Sequence, residues 1–539
     1  MSTGFDYVIV GAGTAGCVLA ARLTEDPDTT VCLLEAGGRD SKLMIHVPAG
    51  FMKLLSDPDV NWLYHSEPIA GTDGRRILMP RGKTLGGSSS INGHIYNRGQ
   101  RQDYDTWSQF GNRGWSYAEV LPYFKRSERR QGGDDDFRGR NGPMPVTNLH
   151  WSHPLCDAFM DGAEAHGIPR NADYNGAEQL GVSYSQVIIN KGRRVSAARG
   201  FLHPAMKRPN LEVRINAHAS EVLFDGRRAR GVRYFRDGQS LDVAARREVI
   251  LSGGAVNSPQ LLQLSGVGSP GLLRPLGIEV RHDLPGVGEN LRDHFAPRYT
   301  ARVKNISSIN SSARGVRLVG EVLKYLAGRQ SILGLSPSNV YLFCKSDPSL
   351  DHGDLQMVFS PASYKEGVYG ELDELPGMTI GVWQQRPEST GFVRIQSPDP
   401  FAAPAIQPNY LADQLDRQVL LRGMKLANEL FHSAELMPYF EKDLLPERKP
   451  DSDDDWLHFA RHYGATTYHL CGSCRMGPAT DSSAVVDSEL KVHGLEALRV
   501  VDASVFPRLM SSNTNAPTMM VAEKASDMIR GKAPLPAAD

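Results

Sequence analysis

The chain has 539 residues, 40% hydrophobic and 22% charged, with 60 Lys and Arg against 61 Asp and Glu for a net charge of -1. This is the composition of a folded globular protein long enough for two or three domains, and it excludes a disordered chain and, for want of concentrated positive charge, a nucleic-acid partner. Six cysteines (Cys17, Cys32, Cys156, Cys344, Cys471, Cys474) are too sparse for a disulfide scaffold and suit a reducing cytoplasm, while the absence of a basic leader or of ~18 consecutive apolar residues leaves only peripheral membrane association open.

In chain order, "DYVIV" (6–10) reads as a buried parallel strand, "GAGTAG" as a glycine turn and "CVLAARLTE" as a helix with apolar residues at helical spacing. "TVCLLEAG" (30–37) is the next strand, ending on an acid, which completes a βαβ unit. Residues 40–150, rich in Gly, Pro and Arg, are expected to be loop-dominated and wrapped around a ligand. Strands follow in "LEVRINAHASEVLFD", "ARGVRYF" and "AARREVILSGGA", then a helix opening at Ser258 and Pro259 between two glycine turns. Beyond residue 300 come strands "DLQMVFS" and "MTIGVWQQ", a helical "RQVLLRGMKLANELFHS", and a closing strand, loop and helix in "LRVVDASVFP" and "NAPTMMVAEKASDMIRG".

Gly11, Gly13 and Gly16 form G-x-G-x-x-G between strand and helix, with Glu35 ending the following strand. Such glycines let backbone approach a pyrophosphate at a helix N-terminus, and the acid accepts hydrogen bonds from a ribose. In "GKTLGGSSSINGHIYNRGQRQDYD" (82–105), glycines and serines offer unhindered N–H and hydroxyl donors suited to a diphosphate or a flavin edge. "YHLCGSCRMG" (468–477) admits three readings: a thiol redox pair, half of a metal site, or a histidine base with two incidental cysteines. A zinc site wants two further ligands, and the sequence has no second Cys or His pair at ligand spacing.

Together these segments resemble the glucose-methanol-choline (GMC) family of FAD-dependent alcohol oxidoreductases over nearly the whole chain. "GKTLGGSSSINGHIYNRGQRQDYD" fits its first signature and "GAVNSPQLLQLSGVG" its second, with "LPGVGENLRDH", "YHLCGSCRMG", "VVDASVFP" and "SNTNAPTMMVAEKASDMI" in the family's order. Within the family the chain is most similar to bacterial alkanol, choline, polyethylene glycol and sorbose dehydrogenases. The resemblance implies an α/β (α+β overall) fold. Its Rossmann-like FAD domain is assembled from residues 1–155, 196–298 and 463–539, and its substrate domain, with an antiparallel sheet, from 156–195 and 299–462.

By the same resemblance, Gly11, Gly13, Thr14, Ala15, Gly16, Glu35 and Ala36 would hold the ADP half of FAD, and Val222 would present backbone to the adenine. Gly86, Ser88, Ser89, Asn92, Gly93, Asp502, Ala503, Asn513 and Thr514 would line the pyrophosphate and the path to the isoalloxazine. His469 would be the active-site base and Asn513 its partner. Relatives that tether FAD do so through a histidine where this chain has Ile91, so non-covalent FAD is expected. Choline-active relatives carry a glutamate in the stretch matching "SPSNVYLFCKSD" (336–347), which has none. Tyr341, Leu342 and Phe343 there read either as an apolar pocket or as core.

The chemistry asks for the same residue types. Alcohol oxidation moves a hydride to flavin N5 and a hydroxyl proton to a base, a task suited to histidine near neutrality. An asparagine amide cannot titrate there but can orient the substrate oxygen. The expected function is oxidation of a primary or secondary alcohol with a quinone or other non-NAD acceptor. The alternatives are a hydrogen-peroxide-forming oxidase and a hydroxynitrile lyase on the same fold. Of the remaining histidines, His218 and His294 are expected to be surface or packing residues, and His94 stands out for its place in the flavin-contacting segment.

Overall fold

"FDYVIV" forms β1 (Phe5–Val10), buried along nearly its whole length. The chain leaves it through Gly11, whose φ of +99° suits glycine alone, into α1 (Thr14–Leu23), and β2 (Val31–Leu34) returns parallel to β1. Gly16 sits where α1 crosses this turn: a Cβ there would lie 1.9 Å from the Gly11 carbonyl oxygen. The computed structural model describes residues 4–149, 151–365 and 371–538, so the first three residues of the opening stretch lie outside it.

Residues 40–150 are less irregular than expected, for they hold α2 (Arg101–Gln109) and α3 (Tyr117–Ser127). Each opens on a capping box, Gln100 with Asp103 and Ser116 with Glu119. Tyr104 packs edge-on against Trp107 and Phe124 in the core. Burial of these aromatic rings, not intrinsic propensity, makes the segments helical, which is why their polar sequence and Pro122 concealed them.

The chain continues through α4 (Pro154–Ala165), β3 (Gly181–Tyr184), β4 (Leu211–Arg214), β5 (His218–Asp225), β6 (Arg228–Arg236) and the 13-residue β7 (Gln239–Leu251) to α5 (Gly254–Leu264). Then come β8 (Arg298–Val303), α6 (Gly315–Leu326), β9 (Val340–Cys344), β10 (Leu355–Ser360) and β11 (Gly377–Gln384). The last elements are α7 (Gln414–Phe431), β12 (Phe440–Leu445), α8 (Asp453–Tyr463), β13 (Leu498–Val500) and α9 (Asn515–Ile529).

These strands build two large sheets. The first runs β4-β2-β1-β7-β6-β5 with β13 added to β7. It is parallel from β4 to β7 and at β13, and antiparallel through β6 and β5. The second, antiparallel throughout, runs β12-β8-β11-β10-β9-β3. Each has its own core: α1 and α9 pack together beside the first sheet, and α4 and α7 pack on the second. Tyr64, Ile69, Ile77 and Met79 also join the second core.

Helix α5 starts at Gly254, four residues before the expected Ser258. Two features allow it: the Asp502 carboxylate accepts the Gly254 N–H (2.8 Å) and the Ser258 hydroxyl (2.6 Å). Pro259 therefore lies inside the helix, where it gives no N–H to the Ala255 carbonyl. The Ser473 hydroxyl donates there instead, at 2.6 Å.

Candidate active site

One cavity of about 1010 Å³ is lined by residues of both sheets. Gly11, Gly13, Thr14, Ala15, Glu35 and Ala36 line one part of it, Ser88, Ser89, Asn92, Gly93, Asp502, Ala503 and Thr514 another, and His469 and Asn513 a third. Sequence separation is bridged locally. A Cβ on Gly87 would lie 2.8 Å from the Gly13 Cα, and the Gly86 N–H donates to the Ala12 carbonyl at 2.7 Å, so the two glycine-rich segments abut. At the start of α9, Asn515 Oδ1 accepts from the Thr14 hydroxyl at 2.8 Å.

Three expected cofactor residues do not reach the cavity. Gly16 and Gly86 shape the backbone crossings just described and do not line the space they create. Val222 lies in the core of the first sheet, its N–H donating to the Ser265 hydroxyl at 2.8 Å, because β5 has by then carried the chain away. Ala217, His218 and Ala219 line the cavity in its place, so His218 is a wall residue. The chain is brought there when the Ala217 N–H donates to the Glu35 carbonyl at 2.8 Å.

Glu35 accepts the Ala12 N–H (2.9 Å) and the Gly37 N–H (2.8 Å). Burial nonetheless pushes its carboxyl up to about 7. Behind Ser89 and Asn92 lies buried Arg194, which donates to the Ile45 carbonyl (2.7 Å), the Asn92 carbonyl (2.7 Å) and the Asn92 side-chain oxygen (2.8 Å). Burial lowers it to about 9.

His469 is buried, its Nε2 2.9 Å from the Asn513 Nδ2 and its Nδ1 2.9 Å from the Nδ1 of His294. Proton placement follows from the far end of this chain. His294 Nε2 lies 2.6 Å from the Gln385 carbonyl oxygen, which can only accept, so Nε2 carries the proton and Nδ1 of the neutral ring is an acceptor. His469 must then donate from Nδ1, which leaves the Nε2 lone pair toward Asn513. The Asn513 amide fits this orientation, because its Oδ1 faces the Tyr341 hydroxyl at 3.4 Å. The Thr467 hydroxyl, 2.8 Å from His469 Nδ1, supplies a second acceptor while donating to the His294 carbonyl.

Burial, then the neighbouring His294 and Arg81, hold the His469 imidazole well below its ordinary value, and burial lowers His294 to about 4. Both rings are therefore neutral near pH 7. Their meeting has a local cause: Phe295–Ala296 pairs antiparallel with Ala465–Thr466, and Arg292 with Cys471. The buried Asp293 clamps both strands. Its Oδ1 accepts the His469 N–H (2.7 Å) and the His294 N–H (2.9 Å), and its Oδ2 accepts the Tyr410 and Thr466 hydroxyls.

Around Asn513 the wall is formed by alternate residues of the second sheet, among them Tyr341 on β9, Val358 on β10 and Trp383 on β11. Tyr341 is thus a pocket residue, whereas Leu342 and Phe343 are core. Arg75, Arg81, Arg298 and Lys365 also line the cavity. His94 lines it too, with Nε2 on the Pro48 carbonyl at 3.0 Å.

Two family models, both described as GMC oxidoreductase, match residues 5–296 and 387–522. The chain belongs to the GMC oxidoreductase family. The mitochondrial choline dehydrogenase of Homo sapiens is 41% identical over 539 residues, covering 98% of this chain and 90% of its own. The alcohol dehydrogenase [acceptor] of Pseudomonas putida is 40% identical over 543 residues, with coverage of 99% and 97%. Among solved structures, pyridoxine 4-oxidase from Mesorbium loti superposes with a TM-score of 0.89 at 30% identity, covering 98% of this chain and all of that one.

This GMC oxidoreductase is an FAD-dependent enzyme acting on CH–OH donors, and its residues fit the cofactor. Both Gly13 and Gly254 line the cavity, where a Cβ on Gly254 would meet nothing within 4 Å and one on Gly13 only the Ser252 carbonyl oxygen at 3.8 Å. Ser89 and Asn92, which line the cavity, are braced from behind by buried Arg194 through their carbonyl oxygens and the Asn92 side-chain oxygen. Among the described residues no group of three or more His, Cys, Asp or Glu is placed to hold a metal ion. Cys471 and Cys474 are buried free thiols whose pKa burial raises, the opposite of a reactive pair.

His294 and Asp293 escaped functional assignment in the sequence, although "LPGVGENLRDH" contains both. The usable signal was the adjacent Asp-His pair that closes this segment. Arg81 and Thr467 gave no signal of their own.

Proposed function

We propose that this protein dehydrogenates an uncharged primary alcohol to the aldehyde, with His469 as base, Asn513 as its partner and a quinone as electron acceptor. FAD, held non-covalently, supplies the hydride acceptor. The observation that carries the reading is the directed proton chain from His469 to His294 to Gln385, which leaves an Nε2 lone pair that accepts from the Asn513 amide. On arrival of the alcohol, its hydroxyl replaces the amide as donor to Nε2 and its oxygen accepts from Asn513, so proton removal and alkoxide stabilisation come from adjacent groups.

An uncharged substrate is favoured by the charges in the walls. Arg81 and Arg298 line the cavity beside two paired groups, Lys365 with Glu371 at 2.8 Å and Asp373 with Arg302 at 3.4 Å. A quaternary ammonium would meet the guanidinium groups of Arg81 and Arg298, while an alkyl chain would meet Tyr341, Val358 and Trp383.

Anaerobic stopped-flow reduction by a panel of primary alcohols tests this. The flavin band should bleach with alkanols and not with choline, and His469→Ala should slow bleaching by roughly 10²–10⁴-fold with the flavin still bound. Bleaching by choline alone would overturn the substrate assignment, and an unslowed His469→Ala enzyme would overturn the base. Rapid reoxidation in air would replace the quinone by oxygen.

A further inference from the structure

Helix α6 (Gly315–Leu326) is built inside out. Its only fully buried residue is Glu321, while Val316 is 87% exposed, Val319 59%, Leu323 62% and Leu326 75%. At 100° per residue these four fall on one stripe, with Arg317 and Lys324 together along one flank. The polar side faces inward for a reason. Glu321 Oε2 accepts the Ile332 N–H (2.9 Å) and its carbonyl accepts the Ser331 hydroxyl (2.9 Å), while the Tyr325 hydroxyl donates to the Gly192 carbonyl (2.9 Å). The helix is pinned to the body through polar groups and offers its apolar face to solvent.

We propose that α6 is a docking helix for an anionic lipid bilayer surface. Charge selects this occupant. Between residues 304 and 329 stand Lys304, Arg314, Arg317, Lys324 and Arg329 against the single acid Glu321, which Lys324 meets at 2.6 Å, so the stretch keeps an excess of four positive charges in a chain whose total charge is nearly balanced. An apolar stripe flanked by basic residues is the composition of a helix that lies in the lipid interface. An antiparallel two-fold dimer through the same face would set this basic flank against itself. No helix among the described residues is long and apolar enough to cross a membrane, so the attachment is to one leaflet.

The patch is continuous with the cavity. Helix α6 packs on the turn Ile332–Gly334, which packs on Pro48–Gly50, and the next residues, Phe51 and Met52, line the cavity. Leu43 and Met44, 66% and 41% exposed, lie on the short helix that also packs on Pro48–Gly50. A bilayer on this face would meet the protein next to the cavity wall at Phe51 and Met52. Delivery of an apolar alcohol from the lipid follows only if the alcohol reading above holds; the docking itself does not depend on it.

Co-sedimentation of the FAD-loaded full chain with phosphatidylcholine vesicles, with and without an equal part of phosphatidylglycerol, tests the proposal. The wild type should pellet with the anionic vesicles at least tenfold more than with phosphatidylcholine alone. The variant V316S/L323S/L326S should lose roughly tenfold or more of that binding, and R317E/K324E should lose its dependence on phosphatidylglycerol. Both should keep dye-linked turnover in lipid-free buffer, which shows that they fold. Failure of the wild type to pellet, or equal pelleting of wild type and folded variants, would overturn the proposal. A concentration-dependent dimer by light scattering that V316S/L323S/L326S abolishes would also overturn it, assigning the face to a second copy.

Discussion

At the scale of single residues, the chemistry rests on which nitrogen of His469 carries the proton, and that is decided two residues away by a backbone carbonyl. Replacing His294 by Gln removes an obligate acceptor for Nδ1 and lets the ring adopt the wrong tautomer. Turnover should fall roughly 10–100-fold, the scale seen when an outer partner that fixes an imidazole is removed. Wild-type kcat/KM should stay level as pH falls below 6.5, because burial and the charged neighbourhood keep His469 neutral there, and the acidic limb should move to higher pH in His294→Gln. Glu35 makes a second prediction. With its carboxyl near 7, it takes up a proton as pH falls and loses strength as an acceptor for ribose hydroxyls. Apoprotein should therefore bind FAD more tightly at pH 8 than at pH 6 by flavin fluorescence, and Glu35→Gln should bind roughly tenfold more weakly with no such trend. Glu35 was legible because its partners lie within a few residues of one motif. His294 was not: its role exists only through an antiparallel pairing with a segment 175 positions away.

At the scale of elements, burial overrode local preference wherever expectation and structure part. Helices α2 and α3 look like loop in sequence because their helical stripe is aromatic and their surfaces are polar, and only the packing of Tyr104, Trp107 and Phe124 reveals it. Helix α5 shows the reverse case, a proline that sequence rules place at a helix start but that the structure holds inside. Its tolerance is specific, since the Ser473 hydroxyl takes the place of the missing N–H at the Ala255 carbonyl. Ser473→Ala should leave that buried carbonyl unpaired and cost about 1–3 kcal/mol, read as a lower thermal midpoint, with the flavin spectrum unchanged. The short βαβ strands and the last helix were legible because their apolar periodicity is strong and uninterrupted.

At the scale of the whole molecule, we propose that the cofactor domain comprises residues 1–155, 196–298 and 463–539 and the substrate domain 156–195 and 299–462. The buried histidine pair lies at their meeting and couples fold to pH. In the unfolded chain a histidine titrates near ~6.5, whereas His294 in the fold titrates at about 4. Its contribution is fully present above 6.5 and is lost as pH falls toward 4, because the unfolded chain then binds a proton that the folded chain refuses. The loss is about 3 kcal/mol for this group, and His469 acts in the same sense. The thermal midpoint should fall across pH 6.5 to 4, with a shallower fall in His294→Gln.

The bond between Thr14 and Asn515, with the ion pair of Arg22 and Glu523 at 2.9 Å, joins positions 501 apart on the chain. A ribosome making this protein releases the glycine turn 501 residues before the start of the helix that completes its wall. Until then the first sheet also lacks β13, and Asp502 has not yet been made to hold the start of α5. The nascent chain therefore carries an unfinished nucleotide cradle until that helix emerges, and commitment to cofactor is postponed until then.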